Sequence, residues 1–192
     1  MHPTLIAALE LQSVLIGTGR PYCFIGGVAL QRWGEPRFTK DADATVVTVF
    51  EFDEELIQIL YSRFTSRIKD GPEFSRRSRV VLVRASNGVG LDVALGAFDF
   101  EVRCAQRAFE WNLEKGQKLR ICTAEDLIVH KAFAGRDQDW ADIRGVLLRQ
   151  AITLNVSQIF QELGPLLVLK EDDSAMAKLK QLMRERGILS EK

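Results

Sequence analysis

The chain has 192 residues, 46% apolar and 27% charged, which is enough to bury the core of one domain or two small ones. Lysine plus arginine balances aspartate plus glutamate at 26 each, so there is no global basic field of the kind a nucleic-acid coat protein carries. The three cysteines, Cys23, Cys104 and Cys122, stand apart without a CxxC pair, and their odd count does not suit a disulfide framework and predicts buried free thiols. No apolar run nears the ~20 residues of a bilayer span. The first residues lack the basic n-region of a secretory leader. A cytoplasmic chain with no membrane partner is expected.

Leu5, Ile6, Leu9, Leu11, Leu15 and Ile16 recur at helical spacing and predict a helix over 4–17, with Thr4 as its cap. Gly17, Gly19 and Pro21 end it. Residues 22–25 read as a short buried strand and 27–33 as a short helix closed by Gly34 and Pro36. A β-branched run predicts a strand over 43–50. An acidic first turn favours a helix over 53–64. Asp70-Gly71-Pro72 marks a turn, and Ser86-Asn87-Gly88 joins strands over 80–85 and 89–95. Residues 98–109 fit helix or irregular structure equally.

A short strand is expected over 118–122. Thr123 and Asp126 form the S/T-x-x-D/E variant of a capping box, opening a helix that Gly135 stops. A helix over 137–149 places Trp140, Ile143, Val146 and Leu147 on one face. Helices follow near 156–168 and 173–187, capped by Asn155 and by Asp173 or Ser174. The fold class is α/β (α+β), a small mixed, mostly antiparallel sheet flanked by helices. That part spans 1–117, and a mainly helical domain spans 118–192.

Chemistry concentrates at three places. Gly26 and Gly27 follow an apolar run, where glycines let backbone N–H groups approach an anion. Thirteen residues later, Asp41 and Asp43 open a strand two apart, on one face. Paired carboxylates there can hold a hard cation such as Mg²⁺. Asp92 lies mid-strand among apolar neighbours, where a carboxylate needs a partner or a cation. If its strand pairs near 43–50, three acids converge and two Mg²⁺ ions can serve a triphosphate. The cluster Arg76, Arg77, Arg79 and Arg84 reads as a solvated face, with a grip on RNA backbone as the alternative.

The string from Gly26 to Trp33 and Gly34, the string Pro36-Arg37-Phe38-Thr39-Lys40-Asp41-Ala42-Asp43, Asp92, and the block from His130 to Asp142 resemble the polymerase-beta type nucleotidyltransferase superfamily. Within it they look like the AbiEii-like abortive-infection toxins. The resemblance covers about residues 20–150. It implies that Gly26 and Gly27 cradle an NTP such as ATP and that Asp41, Asp43 and Asp92 bind two Mg²⁺, with Asp92 also the general base. It implies that Arg37, Thr39, Lys131 and Arg136 contact the nucleotide, and that Asp139 and Asp142 orient Lys131 or Arg136. Ala42 and Ala44 are smaller than the superfamily's usual residues there. The expected reaction is nucleotidyl transfer to a hydroxyl of RNA, such as a tRNA 3′ end, or of protein, with an antitoxin as a further partner. Two alternatives are a non-catalytic toxin–antitoxin partner with the same fold and a small-molecule, antibiotic-type nucleotidyltransferase.

Overall fold

A computed structural model describes residues 1–48 and 54–190. The chain divides into two units, Met1–Val28 with Phe38–Cys122 and Ala29–Arg37 with Thr123–Lys192. Among the described residues every strand belongs to the first.

In the first unit, helix α1 (Pro3–Thr18) starts with Pro3 in its first turn and ends on Gly19 in the left-handed region, φ 66°. Its cap is His2, whose Nδ1 accepts from Thr4 N at 3.3 Å, rather than the expected Thr4. Pro3 has no N–H to lose at the first helical position, so the cap falls one residue before it. Thr4 is buried instead, and its hydroxyl donates to Thr39 O at 3.2 Å. Strand β1 (Tyr22–Phe24) leads into helix α2 (Gly26–Trp33), which belongs to the second unit from Ala29 on, and strand β2 (Asp41–Val47) follows in the first. The expected end of β2 at 49–50 and the expected helix start at 53 lie outside the described residues.

Helix α3 (Glu54–Arg63), strand β3 (Thr65–Ser66), helix α4 (Gly71–Ser78), strand β4 (Val80–Arg84), strand β5 (Gly90–Gly96) and helix α5 (Asp99–Arg107) come next. Strands β6 (Phe109–Asn112) and β7 (Lys118–Ile121) complete the unit. Helix α4 is a correction: Pro72 sits in its first turn, where the missing N–H costs nothing, so the apparent turn is a helix start. The ambiguous stretch resolves into α5 and then the edge strand β6. Glu101 fixes the start of α5 by accepting from Ala97 N at 2.8 Å and Phe98 N at 3.0 Å.

The sheet runs β3-β4-β5-β2-β1-β7-β6. β1 with β2, β3 with β4, β4 with β5 and β6 with β7 are antiparallel, while β2 with β5 and β1 with β7 are parallel. Ala42, Ala44 and Val46 alternate inward on β2, and Val81, Val83, Leu91 and Val93 continue the core on β4 and β5. Burial of each larger side chain contributes about 1.5–3 kcal/mol. The opposite alternation of β2 carries Asp41, Asp43 and Thr45, and Thr45 donates to Glu101 of α5 at 3.4 Å. Cys23, Cys104 and Cys122 are buried, and Cys23 Sγ lies 3.6 Å from Cys104 Sγ.

The second unit holds helices α6 (Ala124–Ala134), α7 (Asp137–Gln150), α8 (Val156–Lys170) and α9 (Ser174–Glu185). Thr123 accepts from Asp126 N at 3.1 Å and Asn155 from Gln158 N at 3.1 Å, as the spacing predicts. Gly135 ends α6 at φ 71°. Asp173 is the N-cap of α9, one of the two residues expected there, but its side chain makes no cap hydrogen bond, and Ser174 N donates to Asp172 Oδ1 at 3.0 Å instead. Leu127, Ile128, Ile143, Val146, Leu147, Leu163 and Leu179 form the core. Among the described residues no helix is long and apolar enough to cross a membrane.

Candidate active site

Parallel pairing of β2 with β5 sets Asp43 opposite Asp92 and Asp41 opposite Gly90. Directly paired residues point to the same face, and Asp41 is two positions from Asp43. The three acids separated in sequence therefore share one face of two central strands. Their exposure is partial: the side chains of Asp41 and Asp92 are 38% and 31% exposed. Burial raises the Asp92 carboxyl above its ordinary range, Arg67 pulls it down, and the nearby Asp41 charge adds to the rise.

Arg67 was not among the expected site residues, and the structure brings it to the acids. Its Nη1 donates to Asp41 Oδ1 at 3.3 Å and to Asp92 Oδ1. Its backbone N–H is fixed by Leu82 O at 3.0 Å, and Leu82 is the neighbour of Asp92 across β4 and β5. The only sequence signal was a basic residue just after a two-residue edge strand, too short for alternation to be read.

The glycine pair meets the same strand. Gly26 has φ +54°, and a Cβ there would lie 2.2 Å from Asp43 Oδ2. A Cβ on Gly27 would lie 2.6 Å from Thr39 Oγ1. Glycine is required at both because the acid strand and its leading loop fill the space a side chain would take. Ile25 N donates to Asp43 O at 2.9 Å, and Thr39 Oγ1 donates to Asp41 O at 3.1 Å. Gly26, Gly27, Thr39, Asp41, Asp43 and Asp92 are therefore brought together within the first unit.

The remaining expected residues gather in the second unit. Asp142 Oδ1 accepts from Arg37 Nε at 2.8 Å and Gln138 Nε2 at 2.9 Å. Its Oδ2 accepts from Arg37 Nη2 at 2.9 Å and Lys131 Nζ at 2.5 Å. Lys131 also donates to Asp139 Oδ1 at 3.3 Å, and Arg136 Nε donates to Asp139 Oδ2 at 2.7 Å. Lys131, Asp139 and Asp142 are only 3–5% exposed, whereas the Arg136 side chain is 77% exposed. Burial pushes the Asp142 carboxyl up, but the hydrogen bonds from Arg37, Lys131 and Gln138 outweigh it and hold it below its ordinary range.

Three carboxylates on one face are the oxygen donors a hard divalent cation prefers. A guanidinium nitrogen already stands where two of them converge, which marks a position that favours positive charge. Asp41, Asp43 and Asp92 are therefore the residues that could hold such a cation. Among the described residues no group of three or more His, Cys, Asp or Glu side chains is arranged to hold a metal as it stands.

The fold of this chain is similar to that of nucleotidyltransferase-like proteins. Solved structures bear this out at the level of the fold. An antigenic nucleotidyltransferase-like protein from Paracoccidioides brasiliensis is 17% identical, with 92% of this chain and 91% of that one covered and a TM-score of 0.50. The antibiotic-resistance factor ANT(2'')-Ia in solution is 16% identical, with coverage of 89% and 95% and a TM-score of 0.54. Its complex with adenylyl-2''-tobramycin is also 16% identical, with coverage of 87% and 97% and a TM-score of 0.52. No family model and no curated protein matches the sequence.

Proposed function

We propose that the protein is a Mg²⁺-dependent nucleotidyltransferase that moves a nucleoside monophosphate from an NTP to an acceptor hydroxyl. The observation that supports this most is the register of β2 and β5, in which Asp43 faces Asp92 with Asp41 two residues along the same face. Asp41, Asp43 and Asp92 are the residues proposed to hold Mg²⁺. Bound there, Mg²⁺ would neutralise triphosphate charge and acidify the acceptor hydroxyl. Asp92 is the proposed general base, and burial lifts its carboxyl toward a more basic range. It takes the hydroxyl proton as the oxygen attacks the α-phosphorus and the bond to pyrophosphate breaks.

Gly26 and Gly27 are proposed to admit the triphosphate to backbone N–H groups, with Thr39 holding the loop before the acids. Arg37 and Arg136 are proposed as cations for the phosphates. The geometry supports a pinning role for Lys131, because its ammonium bonds both Asp142 and Asp139, and these carboxylates in turn orient Arg37 and Arg136.

The acceptor is proposed to be RNA or a protein hydroxyl, on the resemblance of the Gly26–Asp43 and His130–Asp142 strings to AbiEii-like toxins, with an antitoxin as partner. A second reading, a small polyhydroxylated acceptor, is favoured by the similarity to ANT(2'')-Ia bound to an adenylylated aminoglycoside over 97% of that chain. The test is incubation with α-labelled NTPs and Mg²⁺ against total RNA, protein and aminoglycosides. Label is expected in one acceptor class and absent from an Asp41→Asn/Asp43→Asn double variant. Equal labelling by that variant would overturn the assignment.

A further inference from the structure

Arg67 is built into the acid face by two separate features. Its backbone is held to β4 by the bond to Leu82 O, beside Asp92. Space for its head comes from Gly90: a Cβ there would lie 1.9 Å from Asp41 Oδ1 and 2.6 Å from Arg67 Nη1. A side chain at position 90 would split the Arg67–Asp41 pair. The side chain then reaches both Asp41 and Asp92 through one nitrogen.

We propose that Arg67 is the internal counter-ion and gate of the acid site, and that it must swing off Asp41 and Asp92 before a divalent cation is held there. This rests on the nucleotidyl-transfer reading of the same acids. A guanidinium and a divalent cation repel one another and compete for the same carboxylate oxygens, so the site exchanges one for the other. In the empty protein Arg67 offsets the repulsion between the acids. Once displaced, its backbone stays pinned at Leu82, so its charge stays close to the site. The cation alone is therefore held weakly, and the phosphates of a nucleotide, by accepting the displaced guanidinium, tighten cation and nucleotide together. Attachment through one nitrogen makes release easier than a two-pronged pair would.

The test is Mn²⁺ binding followed by electron paramagnetic resonance, without nucleotide, in the full chain and in Arg67→Met, Arg67→Lys and Asp43→Asn. Loss of the charged contacts in Arg67→Met is expected to tighten Mn²⁺ about tenfold, with Arg67→Lys between it and the unmodified chain. A non-hydrolysable NTP should narrow the gap. Equal or weaker Mn²⁺ binding in Arg67→Met, with binding lost in Asp43→Asn, overturns the gate but leaves the acid site standing. No Mn²⁺ binding in any protein overturns both readings. Should Arg67→Met fail to fold, the Arg67 guanidinium signal is followed by NMR in the unmodified chain during Mg²⁺ titration. A shift is expected, and an unmoved signal overturns the gate.

Discussion

The two units each gather carboxylates and cations, and they do so in opposite ways. On the β2–β5 face, Asp41 and Asp92 share a single nitrogen of Arg67 and are about a third exposed. Around α6 and α7, Asp142 takes four hydrogen bonds, and Asp139 and Asp142 sit almost wholly buried against Lys131. Carboxylates that are loosely neutralised and reachable can trade their partner for a substrate or metal. Carboxylates closed off on both oxygens fix geometry. The difference is why the proposal gives chemistry to the first cluster and positioning to the second.

Substitutions that separate chemistry from architecture test this contrast. The largest effect is expected from Asp92→Asn, which should lower labelled-nucleotide transfer by about 10²–10⁴-fold while thermal unfolding changes little. Asp142→Ala should act mainly on stability, with transfer lowered less, through loss of the Arg37 pairing. It leaves Lys131 buried without one carboxylate and should cost about 3 kcal/mol or more in urea unfolding. The acid limb checks the same residue. Because its folded value is held down, the stabilisation from Asp142 is present above the ordinary carboxylate range and is lost as pH falls through its lower folded value. Asp142→Asn should remove that acid-side loss. Gly26→Ala, with φ +54° and a Cβ driven onto Asp43, should destabilise by about 1–3 kcal/mol in the same unfolding assay and reduce transfer as well. The smallest effect on unfolding, under about 1 kcal/mol, is expected for Arg136→Ala, because the Arg136 side chain is 77% exposed and Asp139 keeps Lys131 as its buried partner.

The contrast also explains what was legible in the sequence. Asp41 and Asp43 could be read because strand alternation is local, and Asp92 because a charge among apolar strand residues is conspicuous. Thr123, Asn155 and Gly135 were readable as helix ends because caps act within three residues. Arg67 was hidden because its partners Asp41 and Asp92 are 26 and 25 residues away, across an edge strand of two residues, and Gly90 because the groups it makes room for, Asp41 and Arg67, come from other segments. Pro72 misled because a proline serves turns and helix starts alike. Strand β6 was too short to tell from the helix before it. The closed pairing of Lys131 depended on packing of α6 against α7, which no spacing rule supplies.

The most direct measurement is the anomalous scattering of Mn²⁺ in crystals grown with Mn²⁺ and a non-hydrolysable NTP. The account predicts a metal peak in contact with Asp41, Asp43 and Asp92, with the Arg67 guanidinium moved off Asp41 and Asp92 and the Asp142 pairs unchanged. Ordered nucleotide with the three acids bare of metal and Arg67 still seated on them would contradict it.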